Sequence, residues 1–329
     1  MTDYKNVRYK YPTVTLSGAT EGSPAEGDIW YDSGKFYLGT SQSFTGSWSS
    51  GGSLSAVKRM VAGAGTQSAG LCMGGEVVGS PTYLAVTEEY NGTAWSSGGS
   101  LANARAGPAG AGTQSAGLCM GGKNSTYPSV TEEYNGTSWS AGGDLNTART
   151  GLTGAGTQSA GLCFGGNLSN NTNSAVTEEY DGTSWSAGGN LGTARRYPGG
   201  AGTQSAGLSM GGSDGSDSNA TEEYDGTSWS GGGNLGTGRY GLTGCGTQSA
   251  GLCMGGYTSG YSNVTEEYDG SAWSAGGNLA TARVYLGGAG TQSAGLCFGG
   301  NTGSNSSVTE EYDSGPGSYD ELFSPSTGL

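Results

Sequence analysis

Histidine is absent from the 329-residue chain. That removes the side chain most often used for proton transfer near neutral pH, and the commonest ligand of zinc, copper and non-haem iron. Cations are scarce as well: 13 Lys and Arg stand against 27 Asp and Glu, a formal net charge of −14. Binding to a nucleic-acid backbone needs clustered Lys and Arg. Here they are mostly single and evenly spaced, so nucleic acid is excluded as a partner. No apolar run approaches the roughly 18 residues of a membrane span, and membrane insertion is not expected. The opening MTDYKNVRYKYPT has none of the apolar stretch that a secretory signal needs. The expectation is synthesis and folding in a cytosol, whatever the final location.

What the chain has in excess is glycine, 69 residues of it. Without a period such a composition reads as disorder; with one it reads as tight turns and close packing. The period is present. GAGTQSAGLCMGG at 63–75 returns, little changed, at 110–122, 154–166, 200–212, 244–256 and 288–300. TEEY recurs six times, from 87–90 to 309–312, and a tryptophan recurs at Trp48, Trp95, Trp139, Trp185, Trp229 and Trp273. This is a repeat architecture. The series is split: it begins at Trp48, without a TEEY before it, and ends at the last TEEY, without a Trp after it. A closed ring explains the offset. The Trp48 strand is expected to pair with the 310–312 strand, completing one unit from both chain ends and leaving no open edge.

Each unit reads as four short strands. Asn91-Gly92, and Asp-Gly in later copies, predict a two-residue hairpin turn, with Tyr90 opposite Thr93 and Glu88 opposite Trp95. Thr66-Gln67-Ser68-Ala69 predicts a second tight turn. Five of the six cysteines, Cys72, Cys119, Cys163, Cys253 and Cys297, hold one repeat position, where the fourth copy has Ser209. Equivalent positions in neighbouring repeats lie too far apart for a disulfide, so buried free thiols are expected, Cys245 included.

Gly74-Gly75 after an apolar strand, then Tyr90, Trp95 and Arg105, at a period of 44 to 47 residues, resembles the kelch repeat. The resemblance covers residues 44–313. It implies an all-β fold, a six-bladed kelch-like β-propeller closed by its N- and C-terminal strands. Residues 1–43 then form an N-terminal extension and attachment module containing a small hairpin, GDIWYDSGKFYLGT. Residues 314–329 form a C-terminal tail. The hairpin segment is similar to short modules of bacteriophage tail and appendage proteins.

The resemblance also brings enzymes to mind, and the residues argue against them. Copper oxidases among kelch-like propellers need histidine ligands. Six-bladed sialidases carry a Ser-x-Asp-x-Gly-x-Thr-Trp box, which Tyr224-Asp225-Gly226-Thr227-Ser228-Trp229 does not match. A catalytic constellation places a unique group at one spot, and here the chemistry-bearing residues recur in every copy. No enzyme activity, cofactor or metal is expected. Glu88, Glu132, Glu178, Glu222, Glu266 and Glu310 fall on the apolar face. Each needs a partner there, and one arginine per repeat supplies it: Arg59, Arg105, Arg149, Arg195, Arg239 and Arg283.

The repeats disagree most in two places, the segment between GG and TEEY and the residues just after each arginine. In a four-stranded blade both emerge at one end of the ring. That variable end, with Tyr83, Tyr127, Asn170, Asp214, Tyr257, Tyr261 and Asn305, is the expected ligand-binding face, since tyrosine with Asn, Ser and Asp is the composition of adaptable binding loops. The functional expectation is a non-enzymatic structural and binding propeller, a virion component of phage-tail or appendage type. It would hold other virion or appendage proteins through the N-terminal segment and recognise a host cell-surface glycan or protein with its variable face. A homo-oligomer is left open. The alternative is an intracellular kelch-type protein–protein adaptor, and behind it a glycan-processing enzyme.

Overall fold

The computed structural model describes residues 29–32, 35–39, 46–77, 79, 82–315 and 319–323. Residues 46–314 form a six-bladed β-propeller, each blade a four-stranded antiparallel sheet, and in blades 1 to 5 the strands follow chain order from the axis outward. Blade 1 is Ala62–Gly65, Gly70–Met73, Thr87–Tyr90 and Trp95–Ser97. Blades 2 to 5 repeat it, with inner strands Ala109–Thr113, Thr153–Gly156, Gly199–Gly202 and Thr243–Gly246. Blade 6 is the composite one. Gly287–Gly290, Gly295–Phe298 and Thr309–Asp313 come from the end of the ring, and the outer strand Ser47–Ser50 comes from its beginning, with Trp48 opposite Tyr312.

Glycine runs along the inner strands because those strands nearly touch. A Cβ at Gly63 would fall on the backbone of Gly288, and one at Gly110 on the carbonyl of Gly63. Outward from the axis, apolar side chains pack between blades rather than inside one. Leu71 and Met73 of blade 1 lie with Cys119, Tyr134 and Trp139 of blade 2, and the same set recurs around the ring.

The polar residues of the repeat bolt neighbouring blades together. Each TEEY tyrosine, fully buried, donates to the second glutamate of the preceding blade: Tyr180 to Glu133 and Tyr224 to Glu179 at 2.6 Å, and Tyr90 to Glu311 across the closure. Each tryptophan donates its indole N–H to the TEEY threonine of the preceding blade, as Trp139 does to Thr87 at 2.8 Å and Trp95 to Thr309 at 2.9 Å. Each TQSA glutamine donates to two backbone carbonyls of the preceding blade, as Gln114 does to Gly70 and Tyr90 at 3.0 and 2.7 Å. The composite blade uses the same bonds as the rest, so the ring closes without a weak seam.

One turn differs from its sequence reading. Tyr90 pairs with Trp95 and Glu88 with Ser97, giving a four-residue loop. Asn91 stands at its start, where its side-chain oxygen accepts from the backbone N–H groups of Thr93 and Ala94 at 3.0 and 2.9 Å. An Asx side chain closing its own turn holds the chain more firmly than a two-residue turn that would push Asn91 to positive φ. Tyr90 and Trp95 still share a face, with ring centroids 4.9 Å apart.

Outside the ring, Ile29–Asp32 and Lys35–Gly39 form the hairpin read from the sequence, with Asp32 opposite Lys35. The tail supplies a third strand to it: Tyr319–Phe323 pairs antiparallel with Lys35–Gly39. The rest of the expected attachment module and tail lies outside the described residues.

Candidate functional site: the axial mouth of the loop face

The first glutamate of each TEEY builds the platform. Arg105 pairs with Glu132, Arg149 with Glu178 at 3.0 Å, Arg195 with Glu222, Arg239 with Glu266 at 2.5 Å, and Arg283 with Glu310, all essentially buried. The contacts join one nitrogen to one oxygen, because the guanidinium also serves backbone carbonyls: Arg105 donates to Val130 at 2.7 Å. The carboxylate in turn accepts from the connector between blades, as Glu132 does from the N–H of Ala102 at 2.6 Å. The pair therefore clamps the chain segment that leads onto the loop face.

Arg59 breaks this assignment. Lys58, not Arg59, holds the buried slot and pairs with Glu88. Arg59 pairs with Glu76 instead, at 2.7 Å, and stays partly exposed. Spacing explains the correction: each clamping arginine stands five residues before the glycine that opens the GAG or GCG triplet ahead of TQSA (Gly110, Gly154, Gly200, Gly244 and Gly288), and Lys58 stands five before Gly63.

Beyond the clamp, the six copies cease to be alike. The next residue of each connector forms an antiparallel bridge with the residue after GG of the same blade: Arg59 with Glu76, Ala106 with Lys123, Thr150 with Asn167, Arg196 with Ser213, Tyr240 with Tyr257, and Val284 with Asn301. One residue further in, Met60, Gly107, Gly151, Tyr197, Gly241 and Tyr285 ring the axis. Each donates its N–H to the carbonyl of its counterpart in the preceding blade, at 2.7 to 3.0 Å, closing a six-membered hydrogen-bonded circle. All six have left-handed φ, from 52° to 63°. Glycine adopts that freely. For Met60, Tyr197 and Tyr285 it is strained, a state that tends to persist at functional sites. Below the circle lies the central channel, a cavity of about 100 Å³ lined by the inner strands.

The tyrosines at this mouth touch one another. Ring centroids are 5.0 Å apart for Tyr197 and Tyr285, 6.2 Å for Tyr285 and Tyr240, 5.6 Å for Tyr240 and Tyr257, and 5.6 Å for Tyr257 and Tyr261. A Cβ on Gly151 would fall on the Tyr197 ring, so the bare glycine gives that ring its bed. The Arg59 guanidinium lies 6.0 Å from the Tyr285 centroid. Burial pushes the phenols of Tyr197, Tyr240 and Tyr285 above their ordinary pKa. They are neutral at physiological pH and act as hydrogen-bonding groups on apolar plates.

Of the residues expected to bind, Tyr257 and Tyr261 are in this cluster, and Tyr261 is 42% exposed. Tyr127 is half-buried on the loop that follows Lys123. Tyr83 pairs with Glu76 on a two-stranded ribbon towards the rim. Asn170 and Asp214 are engaged by their own loops, accepting from Thr172 and Ser216 at 3.0 and 3.1 Å. Asn305 bridges Asn301. Tyr197, Tyr240 and Tyr285 fall in the variable residues after each arginine but were not among those expected to bind. Their signal was there: an axial slot holding three glycines and three large residues, Tyr197 and Tyr285 among them, with Tyr240 in the variable slot just before it.

The six cysteines are free and buried. Burial pushes the Cys72 and Cys297 thiols up to about 12, and Cys119, Cys163 and Cys253 to about 11, so they are unionised and inert at neutral pH. Among the described residues no group of three or more Cys, Asp or Glu is placed to hold a metal ion.

No known family profile matches the chain, and no curated protein matches it significantly. The solved structure of YjhT is similar in fold, with a TM-score of 0.65 over 78% of this chain and 95% of that one, at 14% sequence identity. At that identity the likeness concerns the propeller fold alone.

Proposed function

We propose that the protein is a non-enzymatic binding propeller, a component of a virus particle or extracellular appendage that recognises a glycan or protein on a host cell surface with its loop face. One observation carries this reading. The bridged and axial positions on one end of the ring hold side chains that change from blade to blade, from Gly to Tyr and Arg, on a backbone that is the same in every blade. The tyrosines among them form one connected cluster at the axis. The polar residues that repeat are engaged in holding blades together, which leaves this face as the place where one copy differs from the next.

The kelch-like pattern and the hairpin module favour attachment to other virion or appendage proteins through the N-terminal segment. An intracellular adaptor would use the same face for a protein. A glycan-processing enzyme is disfavoured, because the carboxylates of each blade are tied to Arg, Lys or Tyr in the same way all around the ring. The test is adhesion of the purified chain to host cells and to a glycan array. Tyr240→Ala with Tyr257→Ala should abolish adhesion while leaving the thermal midpoint nearly unchanged. Unchanged adhesion would refute the reading. Antibody labelling of intact particles tests the location.

A further inference from the structure

The charged groups of the loop face cancel, and two of its blades have none. The two variable segments of the six blades hold three cations, Arg59, Lys123 and Arg196, and three acids, Glu76, Asp214 and Asp217. Arg59, which reaches towards the Tyr285 ring, brings its own carboxylate in Glu76 at 2.7 Å. Lys123 and Arg196 are balanced by Asp214 and Asp217, both exposed. The N–H and hydroxyl of Ser216 hold the Asp214 carboxyl below the usual carboxylate range, so it is ionised at neutral pH. In blades 5 and 6 the variable segments are 240–242 with 257–263, and 284–286 with 301–307. They contain no Asp, Glu, Lys or Arg, in a chain whose net charge is −14. Most of the tyrosine cluster stands in that uncharged sector: Tyr240, Tyr257 and Tyr261 in blade 5 and Tyr285 in blade 6, in contact ring to ring.

We infer that the ligand is an uncharged glycan, one pyranose ring of which sits in the corner between Tyr257 and Tyr261. The inference rests on the reading of the loop face as the recognition surface. The two rings meet nearly at a right angle, 86°, with centroids 5.6 Å apart, so one supplies a floor and the other a wall. They stand at the base of a tight turn in which the Thr258 N–H donates to the Gly260 carbonyl at 3.0 Å. A Cβ on Gly260 would meet nothing within 4 Å, so the space at the turn is open. Tyr261 is exposed, and Tyr257 is half-buried against Tyr240. The π face of a phenol attracts the C–H face of a pyranose, and the phenol hydroxyls with the Ser, Thr and Asn of these loops can bond its hydroxyls. A protein partner asks for more. It would bury about 800 Å² on this side around apolar anchors. Among the described residues of the six segments between GG and TEEY, Tyr261 is the one exposed large apolar side chain. Charge decides the rest. A polyanion is repelled by the whole chain and finds no positive excess at this face, whereas a neutral sugar is not repelled.

The experiment is titration of the full chain with dextran and mannan, both uncharged, and with polygalacturonate, an anionic pyranose polymer, each at low and high salt. Binding of an uncharged polymer, unchanged by salt, and no binding of polygalacturonate is the expected result. Tyr261→Ala should weaken it about tenfold. Tyr261→Phe should keep most of it, because the ring face remains, and Asp225→Asn at the opposite end should leave it unchanged. Binding of polygalacturonate alone, or binding that fades with salt, would overturn the inference. So would a folded Tyr261→Ala chain that binds as before. If no polymer binds a chain that still adheres to host cells, the inference is overturned while the loop face stands; loss of that adhesion on protease treatment of the cells would then make the ligand a protein. Unchanged adhesion of the chain carrying Tyr240→Ala with Tyr257→Ala would instead overturn the reading of the loop face, and this inference with it.

Discussion

The two ends of the ring are built from the same strands, yet the copies agree at one end and differ at the other. At the turn end all six copies read TQSA and the five continuous blades read Asn-Gly or Asp-Gly, and the Gln and the Asn or Asp each have a structural task. The glutamine reaches two carbonyls of the preceding blade, and the Asn or Asp closes its own turn, as Gln158 and Asp181 do. A change there loosens a blade interface. At the loop end the clamp ends at the buried arginine, and the next two residues are free to differ, because their backbone alone makes the bridge and the axial circle. Uniformity at one end is therefore a requirement of assembly. Variety at the other is permitted by the fold, and the tyrosines concentrated at the axis are the groups that the proposed ligand would meet.

If the turn end and the blade bolts carry stability, breaking them should cost most. Deleting residues 309 onward removes the third strand of blade 6, together with the acceptors of Trp95 and Tyr90. The chain should lose its cooperative thermal transition, and a retained transition would show that closure is dispensable. Next in size, Arg149→Ala leaves Glu178 buried without its cation. A loss of about 3–5 kcal/mol in urea unfolding is expected, partly recovered when Glu178→Leu is added.

The bolts also set an alkaline limit. Burial, with the bond to a neighbouring glutamate, raises Tyr90, Tyr180, Tyr224 and Tyr268 from 10.0 to about 12. A group whose pKa is higher in the folded chain contributes its full stability below the unfolded pKa and loses it as pH rises through the folded one. Stability should thus be level up to about pH 10 and collapse between there and 12. Phenolate absorbance and circular dichroism should change together. Ionisation of these phenols near 10 in a chain that stays folded would contradict the bolt.

Much of this was legible in the sequence, because six copies average out what one copy leaves ambiguous. The blade count, the composite closing blade and the buried Glu–Arg clamp follow from the period. Two things were not. The clamp of blade 1 is a lysine beside an arginine, and residue type pointed to Arg59 where spacing from GAG pointed to Lys58. The tyrosine cluster depends on which slots meet at the axis. Tyr197, Tyr257 and Tyr285 belong to three blades, and their proximity comes from ring closure, which no local pattern encodes. Loop tips drew attention because they vary in length, yet Asn170 and Asp214 serve their own turns.

Smaller effects on stability are expected at the loop end. Tyr285→Gly removes a strained φ of 58° along with the ring's contacts, and the two offset. Unfolding should shift by no more than about 1 kcal/mol while adhesion is lost. A large destabilisation would make Tyr285 a structural plug and not a contact for ligand. Asp225→Asn at the turn end should be the mildest of all, because Asn fills the same position as Asn91 and Asn135 in blades 1 and 2 and closes the turn with the same oxygen. No change in adhesion and almost none in thermal midpoint is expected.

The most direct test removes the tyrosine cluster from the loop end. Arg196, Tyr197, Tyr240, Tyr257 and Tyr285 would be replaced by the residues that blade 3 carries in the same slots, Thr for 196 and 240, Gly for 197 and 285, and Asn for 257. Adhesion to host cells and the thermal midpoint would then be measured on the same preparation. The account predicts an intact cooperative transition and no adhesion. Adhesion that survives in a folded ring would contradict it.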